Sequence, residues 1–212
     1  MQGLIGRKLG MTQVYDADGN RVAATVIEAG PCAVVQRKTK AADGYDAVQL
    51  GYLEIKESRT SKPAMGAFRK GGVTPRRVMR EFRLDEGDDP KAGDAVSVAI
   101  FEGIGYVDVT GVSKGRGFAG VVRRYRMAGG PLTHGGHSKR RVGSIGQNSF
   151  PARVLRGKRM PGHMGHVRVT QQNLRVVAVR PEDNAIVVQG AVPGPTGGIV
   201  LVRKALKKAV KG

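Results

Sequence analysis

The sequence has no aspartate or glutamate between Asp108 and Glu182. The 73 residues of this acid-free segment, 109–181, hold 15 of the 36 lysines and arginines, all four histidines and 13 of the 32 glycines. A folded surface usually mixes charges of both signs, because like charges repel each other. A glycine-rich segment without any acid is therefore expected to contact a densely negative partner, and nucleic acid is the first candidate.

Other scarcities exclude other kinds of protein. The single cysteine, Cys32, excludes an intrachain disulfide framework, and its strand-like surroundings favour a packed thiol over a nucleophile. No apolar run approaches the ~20 residues that span a bilayer, and no secretory pattern is present, so we expect a cytoplasmic protein that binds no membrane. The acid-free segment has only three aromatic residues, which disfavours stacking of free single strands and favours folded RNA, read by shape and backbone.

The positive charge is concentrated in one part of the chain. Residues 1–108 carry a net charge of +1, the acid-free segment +15 and residues 182–212 +3, within a total of +19. A solubilising charge spread over the whole surface does not produce this partition. At 212 residues the chain is expected to form one domain, or one domain with an insertion.

Strand patterns occur on both sides of a long stretch that has little apolar periodicity. Strands are predicted at 12–15, 21–28, 33–37, 47–52, 95–101 and 106–112, and again at 174–179, 185–189 and 199–202. Turns are predicted at 16–20, 42–44, 91–94 and 181–184. Short helices are predicted at 62–69 and at 76–81, a helical turn at 118–122, and a weakly amphipathic helix in the tail at 204–211.

These patterns predict a mainly β fold, either a β-barrel or a closely related fold, that carries a long loop. A structureless loop of this length inside a compact domain is uncommon and usually functional. Residues 1–125 are expected to form the first part of the barrel body, with a small α-containing subdomain inserted at about 58–93. Residues 126–165 are expected to form an extended basic loop, and residues 166–212 the remaining strands and a basic C-terminal tail.

Residues 115–120 match the pattern G-x-G-x-x-G and follow a predicted strand. A dinucleotide site also needs an acidic residue ~20 positions later for the ribose, whereas the next acid, Glu182, is 62 residues on. An enzyme that binds a nucleotide here is therefore a weaker hypothesis than close approach of the glycine backbone to phosphates. The basic residues expected to bind phosphate beside this motif are Lys114, Arg116, Arg123 and Arg124.

All four histidines belong to two H-x-x-H pairs, His134 with His137 and His163 with His166. Four imidazoles could form a tetrahedral zinc site, but structural zinc sites usually include cysteine, and the segment has no carboxylate to orient a ligand histidine. We therefore expect no metal and no other cofactor. The histidines are interpreted as groups that stack on bases or donate to phosphate.

Two dense basic clusters lie further along, on either side of the neutral residues 143–149, which can pack against RNA without bulk. The alternatives are a solvated basic face or a localisation signal, and the neutral spacing weakens both. The segment offers no paired carboxylates, and the chain has neither a G-x-S-x-G nor a Walker A pattern, so we do not expect an enzyme. The clusters are Lys139, Arg140 and Arg141, and Arg153, Arg156, Lys158 and Arg159.

Five motifs, in order along the chain, resemble those of the bacterial family of large-subunit ribosomal protein three. They cover essentially the whole chain: GLIGRKLGMTQ at 3–13, VSKGRGFAGV at 112–121, GSIGQN at 143–148, GKRMPGHMG at 157–165 and GAVPGP at 190–195. One departure is Val142, where the family pattern has proline, which fixes a backbone angle. The path of the loop at this point is therefore less defined by the resemblance.

The resemblance implies a fold and a role. Members of the family have a six-stranded β-barrel of the kind found in translation factors, a small inserted subdomain, and a long loop that enters the large-subunit rRNA with its tip near the peptidyl transferase centre. They bind this rRNA early in assembly, close to its 3′ end, beside large-subunit ribosomal proteins fourteen and nineteen. In some bacteria a glutamine methyltransferase N5-methylates the glutamine of the Ile-Gly-Gln-Asn motif, which corresponds to Gln147 here.

We therefore predict a structural constituent of the large ribosomal subunit, and keep a free-standing nucleic-acid chaperone as the alternative. The residues predicted to bind RNA are basic, histidine or small polar residues of the motifs. They are Arg7, Lys8, Lys114, Arg116, Arg123, Arg124, His134, His137, Ser138, Lys139, Arg140, Arg141, Gln147, Asn148, Arg153, Arg156, Lys158, Arg159, His163, His166 and Arg168.

Overall fold

Strands dominate the structure of the protein, a computed structural model that describes residues 1–15, 19–85 and 87–208. In chain order the strands of this part are β1 (Gly3–Tyr15), β2 (Arg21–Ala29), β3 (Cys32–Lys38), β4 (Ala47–Glu54), β5 (Arg76–Arg83), β6 (Ala95–Val96), β7 (Tyr106–Val112), β8 (Phe118–Ala119), β9 (Gly162–His163), β10 (Arg168–Arg180), β11 (Ala185–Gln189) and β12 (Ile199–Lys204). The helices are α1 (Lys40–Asp43), α2 (Lys62–Gly71) and α3 (Val121–Tyr125), with 3-10 turns at Glu57–Arg59 and Val98–Phe101.

The chain divides into two compact units. Unit 1 consists of Met1–Val112 and Arg168–Gly212, and unit 2 consists of Ser113–Val167. Unit 1 contains the barrel, a second sheet and the buried apolar core, whereas unit 2 lies entirely within the acid-free segment.

Six strands of unit 1 close into an antiparallel barrel in the order β1-β12-β7-β10-β11-β2. Alternate side chains of a strand point to opposite faces of the sheet, so alternate positions fill the barrel interior. In β12, Val200 and Val202 are buried while the intervening Leu201 is only half-buried. The predicted mainly β fold with a six-stranded barrel is confirmed.

Irregularities in the strand pairing bend the barrel strands, as closure of a barrel requires. One lies in β10, where the pairing with β7 shifts between Gln171 and Leu174 and Asn173 has a left-handed φ of +57°. The buried carboxylate of Asp108 accepts hydrogen bonds from the backbone N–H groups of Asn173, at 2.8 Å, and Leu206, at 3.4 Å. This internal carboxylate therefore stabilises the irregular part of β10 and the chain after β12.

The second sheet of unit 1 is antiparallel, in the order β5-β4-β3-β6, and helix α2 packs against β3. Phe68 of α2 and Phe82 of β5 are almost fully buried. Cys32 at the start of β3 is also buried; its thiol donates to the carbonyl oxygen of Ile5 at 3.4 Å, and burial raises the pKa of Cys32 to about 11. The prediction of a packed thiol is confirmed.

The helix predicted at 76–81 is wrong, because these residues belong to strand β5. The Thr74-Pro75 pair resembles a helix start, but β5 pairs with β4 from Arg76 opposite Glu54 to Arg83 opposite Ala47. Pairing along the whole strand and burial of Phe82 outweigh the local helix signal. By contrast, the helix predicted at 62–69 is confirmed as α2.

Two other predictions need partial correction. Of the strand predicted at 95–101, only Ala95–Val96 pairs with β3, and Val98–Phe101 forms a 3-10 turn that buries Val98 and Phe101. Of the helical turn predicted at 118–122, the first two residues form β8, and α3 begins at Val121.

The predicted hairpins are present where the structure describes them. Strand β1 pairs with β2, β3 with β4, and β10 with β11. The helix predicted at 204–211 is wrong in its described part, because Lys204 ends β12 and residues 205–208 form no helix. Residues 16–18 of the first predicted turn and residues 209–211 of the predicted tail helix lie outside the described residues. Within the described part of the chain, no helix has the length and apolarity that a membrane crossing needs.

Candidate nucleic-acid interface

Unit 2 begins and ends in a short antiparallel ladder between residues 113–119 and 162–167. Strand β8 pairs with β9, with Phe118 opposite His163 and Ala119 opposite Gly162. Further backbone hydrogen bonds run from Ser113 N–H to Val167 O (2.9 Å), His166 N–H to Ser113 O (3.2 Å), Arg116 N–H to Met164 O (2.8 Å) and Met164 N–H to Gly117 O (2.9 Å). The ladder holds the two ends of the unit together.

The G-x-G-x-x-G motif, residues 115–120, forms one side of this ladder and lies opposite Gly165. Gly165 has a left-handed φ of +78°, and a Cβ at this position would collide with the carbonyl oxygen of Lys114 and lie 3.0 Å from Gly115 Cα. The N–H of Arg116 already donates to Met164, so it does not point to a ligand. The motif therefore brings two backbone segments together, which reduces its capacity to bind phosphate through backbone N–H groups.

Arg124 on α3 makes a second connection between the two ends of unit 2. Its Nη1 donates to the carbonyl oxygen of Met160 at 2.8 Å, and its Cζ lies 5.1 Å from the centre of the Tyr125 ring. The same ring has the Cζ of Arg159 at 5.7 Å. A Cβ on Gly162 would lie 2.6 Å from Arg124 Nη1, so glycine at 162 leaves room for this guanidinium. The contacts give Arg124 a structural role within the unit.

Residues 129–141 form a compact turn that presents the first basic cluster. The N–H of Gly130 donates to Lys139 O at 2.7 Å, and the N–H of Arg141 donates to Ser138 O at 2.6 Å. A Cβ on Gly129 would collide with the carbonyl oxygen of Lys139, so the backbone can close only around glycine. The side chains on this turn that were predicted to bind RNA are exposed, namely His134, His137, Ser138, Lys139, Arg140 and Arg141.

The side chains of unit 2 are mostly exposed and carry charge of one sign, because residues 113–167 contain no acid. Large apolar side chains are exposed as well, including Phe118 at 80% and Phe150 at 87%. Exposed groups of both kinds indicate a surface that a partner covers. The other exposed predicted RNA-binding residues of this unit are Lys114, Arg116, Arg123, Arg153, Arg156, Lys158, Arg159, His163 and His166, whereas Arg124 is half-buried.

Gln147 and Asn148 lie in an exposed stretch between the two basic clusters. The hydroxyl of Ser144 donates to Gly146 O at 2.8 Å and shapes this stretch. Gln147 lines an open concavity together with Val142 and Arg153. The amide of Gln147 has no hydrogen-bond partner among the described residues, so it is accessible to a partner or an enzyme.

The histidine pairs occupy different local structures, since His134 and His137 lie on the 129–141 turn and His163 and His166 lie on the ladder. In the described ranges, no group of three or more histidine, cysteine or acidic side chains is placed to hold a metal ion. Each histidine is exposed, as contact with RNA would require.

Two predicted RNA-binding residues of the barrel have internal partners. The ammonium of Lys8 is directed into unit 1, where it donates to the carbonyl oxygens of Val192 at 2.8 Å and Gly194 at 3.3 Å, and the residue is only 8% exposed. Arg7 donates through Nε and Nη2 to one oxygen of Glu28, at 3.1 and 2.7 Å, and this contact raises the pKa of Arg7. Both side chains therefore stabilise the barrel.

Arg168, the third predicted barrel residue, is exposed on β10 and lines a groove together with Arg203. Arg203 was not among the residues predicted from the sequence. Arg203 stacks on Phe82 at 5.3 Å, and its Nε is buried without a hydrogen-bond partner in the described part of the chain. Burial, and then the charge of Arg168, lower the pKa of Arg203. No local signal distinguishes Arg203, because its surroundings come from other strands.

Arg126 is a further exposed cation that the prediction omitted. It ends α3 in the left-handed conformation, with φ +57°. The signal was available, since Arg126 belongs to the acid-free segment.

Comparison with known proteins identifies the family of the chain. The family model described as Ribosomal protein L3 matches residues 88–186. Large ribosomal subunit protein uL3 of Brachyspira pilosicoli is 51% identical over 211 residues, which is 100% of this chain and 97% of the relative. The proteins of the same name from Solibacter usitatus and Corynebacterium jeikeium are 54% and 49% identical, over 95% and 98% of this chain and 97% and 95% of their own lengths. The chain therefore belongs to the uL3 family of large ribosomal subunit proteins.

Proposed function

We propose that unit 2 inserts into folded large-subunit rRNA and that its basic side chains neutralise phosphates there. Family membership makes the protein a structural constituent of the large ribosomal subunit, located with the ribosome in the cytoplasm, and not an enzyme. The observation that carries the proposal is unit 2 itself: residues 113–167 have no acid, and their cations are almost all exposed.

Arginine and lysine contacts to phosphate position a protein on RNA, whereas neutral groups can contact sugars and base edges. The proposed phosphate contacts are Lys114, Arg116, Arg123, Arg126, Lys139, Arg140, Arg141, Arg153, Arg156, Lys158 and Arg159. His134, His137, Ser138, His163 and His166 donate to phosphate or stack on bases, and Arg168 contacts RNA from the barrel. Because Arg124, Arg7 and Lys8 have internal partners, their contribution is to hold the contacting residues in place.

We further propose specific roles for the exposed stretch around Gln147. Gln147 and Asn148 form the tip, close to the peptidyl transferase centre, where neutral hydrogen-bonding groups contact RNA without fixing it by charge. The exposed amide of Gln147 is the proposed target of a glutamine methyltransferase. The proposed assembly role is early binding near the 3′ end of the rRNA, next to large-subunit ribosomal proteins fourteen and nineteen.

The test is a sucrose gradient of native cell lysate at high salt, with the protein quantified in every fraction. Stoichiometric recovery in the large subunit, at salt that removes loosely bound factors, is the expected result. Chemical footprinting of the rRNA in such subunits, with wild type and with an Arg153→Gln/Arg156→Gln variant, then locates unit 2. Protection that is unchanged in the variant at every rRNA position would contradict insertion of unit 2.

The second candidate is a free-standing nucleic-acid chaperone, which the same concentration of charge favours. A chaperone would bind DNA and RNA about equally, since phosphate contacts alone carry little sequence information. Recovery at the top of the gradient, or loss from the subunit at moderate salt, would favour this candidate.

A further inference from the structure

A second concentration of positive charge lies in unit 1, within residues 1–108, which together carry a net charge of only +1. Residues 56–83 hold nine lysines and arginines and two glutamates, a net charge of +7. Three of the acids that follow them in the chain pair with groups outside this segment. Asp85 binds Lys204, Asp88 binds the amino group of Met1, and Asp89 binds Arg37.

Helix α2 presents part of this charge on one face. At about 100° per residue, four exposed positions fall within an arc of about 100°, whereas Phe68 lies outside that arc and is buried. Ion pairs between described residues include none from the three cations of this face. The α2 cationic face consists of Lys62, Gly66, Arg69 and Lys70.

Contacts within the protein do not explain why residue 66 of this face is glycine. A Cβ on Gly71, at the end of the helix, would collide with the carbonyl oxygen of Val35, and Gly72 closes the helix with a left-handed φ of +65°. Gly66 is helical, and a Cβ there would meet no atom within 4 Å beyond the backbone of its own helix. Glycine destabilises a helix interior relative to alanine, so its presence here indicates close approach by another molecule.

We propose that the α2 cationic face is a second RNA-binding surface, with the sugar–phosphate backbone lying against Gly66 and phosphates bound by Lys62, Arg69 and Lys70. RNA is the partner of matching charge, and the missing Cβ lets a backbone come close to the helix axis. The inference rests on the proposed function, because the RNA it requires is the large-subunit rRNA. It adds a contact that is independent of unit 2.

The experiment measures binding of the full-length protein to a transcript of bacterial large-subunit rRNA at several salt concentrations. Gly66→Ala is expected to raise the midpoint of thermal unfolding by roughly 1–4 °C, through helix propensity, and to weaken RNA binding by roughly 5- to 100-fold. Lys62→Gln/Arg69→Gln/Lys70→Gln is expected to make the salt slope less steep by roughly 2–3. Gly105→Ala adds a methyl group at another open, exposed glycine, and Lys91→Gln removes an exposed charge of the same unit; both should bind as wild type does.

Results other than those expected would separate failure of this inference from failure of the proposed function. If wild type does not bind the transcript, the proposed function fails together with this inference. If wild type binds and Gly66→Ala binds equally well, only the inference is overturned, and a lower unfolding midpoint of Gly66→Ala would overturn its premise. If the triple variant binds the transcript normally but enters large subunits poorly, the partner of α2 is an acidic protein surface and the assignment to RNA is wrong.

Discussion

The guanidinium of Arg124 donates a 2.8 Å hydrogen bond to the carbonyl oxygen of Met160, 36 residues further along the chain. This bond joins α3 to the segment that leads into β9, beside the backbone ladder of unit 2. An exposed cation next to it, Arg123, has no such partner among the described residues. Two neighbouring arginines in one basic run therefore have different roles, one internal and one available to a ligand.

Substitution of Arg124 should loosen unit 2 without unfolding unit 1. A hydrogen bond from a charged group contributes about 1.5–3 kcal/mol, so Arg124→Gln should increase local opening about 10- to 150-fold. Native-state hydrogen exchange of the Arg116 and Met164 amides, which form ladder hydrogen bonds, measures this opening. Arg123→Gln removes the same charge and should leave exchange unchanged; equal exchange in the two variants would contradict the structural role of Arg124.

Lys8 should stabilise the barrel, because its ammonium satisfies the carbonyl groups of Val192 and Gly194. Lys8→Met keeps most of the apolar stem but leaves these carbonyls without that donor, so the free energy of unfolding should fall by about 1–3 kcal/mol. Urea denaturation measures the loss. Arg7→Met is the neighbouring control: its ion pair with Glu28 is partly exposed, with the Arg7 side chain 41% accessible, and should contribute less than about 1 kcal/mol.

RNA binding by the same variant tests the prediction that Lys8 contacts RNA. Under conditions where Lys8→Met is folded, its salt slope should equal that of wild type, since the ammonium faces the protein. A slope less steep by about 1 would show that Lys8 binds a phosphate after all.

Hairpins were predictable from the sequence because their signals are local. The pattern of Leu174 to Val179, the turn after Pro181 and the run from Ala185 to Gln189 specify β11 and the second half of β10. Asn184 takes the left-handed φ of +48° that such a turn accommodates. The apolar runs and the turn residues lie within the same short stretch, so no distant partner is needed to recognise the hairpin.

Strand β1 was predicted only at its end, because glycine disfavours a strand when its partners are unknown. A Cβ on Gly3 would collide with the carbonyl oxygen of Val202, and one on Gly6 would lie 2.6 Å from Glu28 O. These glycines permit close pairing with β12 and β2, a reason visible only in the closed barrel. The roles of residues in the site likewise depend on contacts that only the folded structure shows. The sequence revealed the charge of unit 2 but could not distinguish Arg124 from Arg123.

The stability of the second sheet should depend on pH through Glu81. Lys38 Nζ donates to Glu81 at 2.7 Å and the Tyr45 hydroxyl donates at 2.8 Å, and these hydrogen bonds lower the pKa of Glu81 below its ordinary 4.5. The stabilisation is therefore complete above the ordinary pKa and is lost as pH falls through the lowered value. The midpoint of thermal unfolding should fall more steeply below about pH 4.5 in wild type than in Glu81→Gln.

The control for this prediction is Glu102→Gln, which removes an exposed glutamate that has no ion pair in the described ranges. Its pH profile should follow that of wild type. If Glu81→Gln and wild type lose stability in parallel between pH 6 and 3, Glu81 does not contribute to acid unfolding.

Binding of the isolated protein to large-subunit rRNA should depend steeply on salt. If about 8 phosphates are neutralised, the logarithm of the association constant should fall against the logarithm of salt concentration with a slope of roughly −5 to −7. Filter binding at several salt concentrations gives this slope. Arg153→Gln/Arg156→Gln, on the exposed second cluster, should make it less steep by roughly 2. A nearly flat plot for wild type would exclude binding through phosphates.

Unit 2 should be dispensable for folding of the barrel. All six barrel strands lie in unit 1, and the closed order β1-β12-β7-β10-β11-β2 has no strand from residues 130–158. We expect a variant in which these residues are replaced by a short Gly-Ser linker to unfold cooperatively, and its incorporation into large subunits in cells to be lost. Differential scanning calorimetry and a sucrose gradient of the lysate measure the two effects.

The replacement ends at 158 so that Met160 remains as the acceptor for Arg124 and the ladder of residues 113–119 with 162–167 can form. A matched variant that keeps the whole loop but carries Arg124→Gln separates the role of the loop side chains from the role of their internal support. This variant retains the basic clusters and loses only the contact made by Arg124. Normal incorporation of this variant, with none for the linker variant, would assign assembly to the loop side chains themselves. A linker variant without a cooperative transition would instead mean that the barrel needs residues 130–158 to fold, and that the ladder alone does not hold the two ends at Val112 and Arg168 in place.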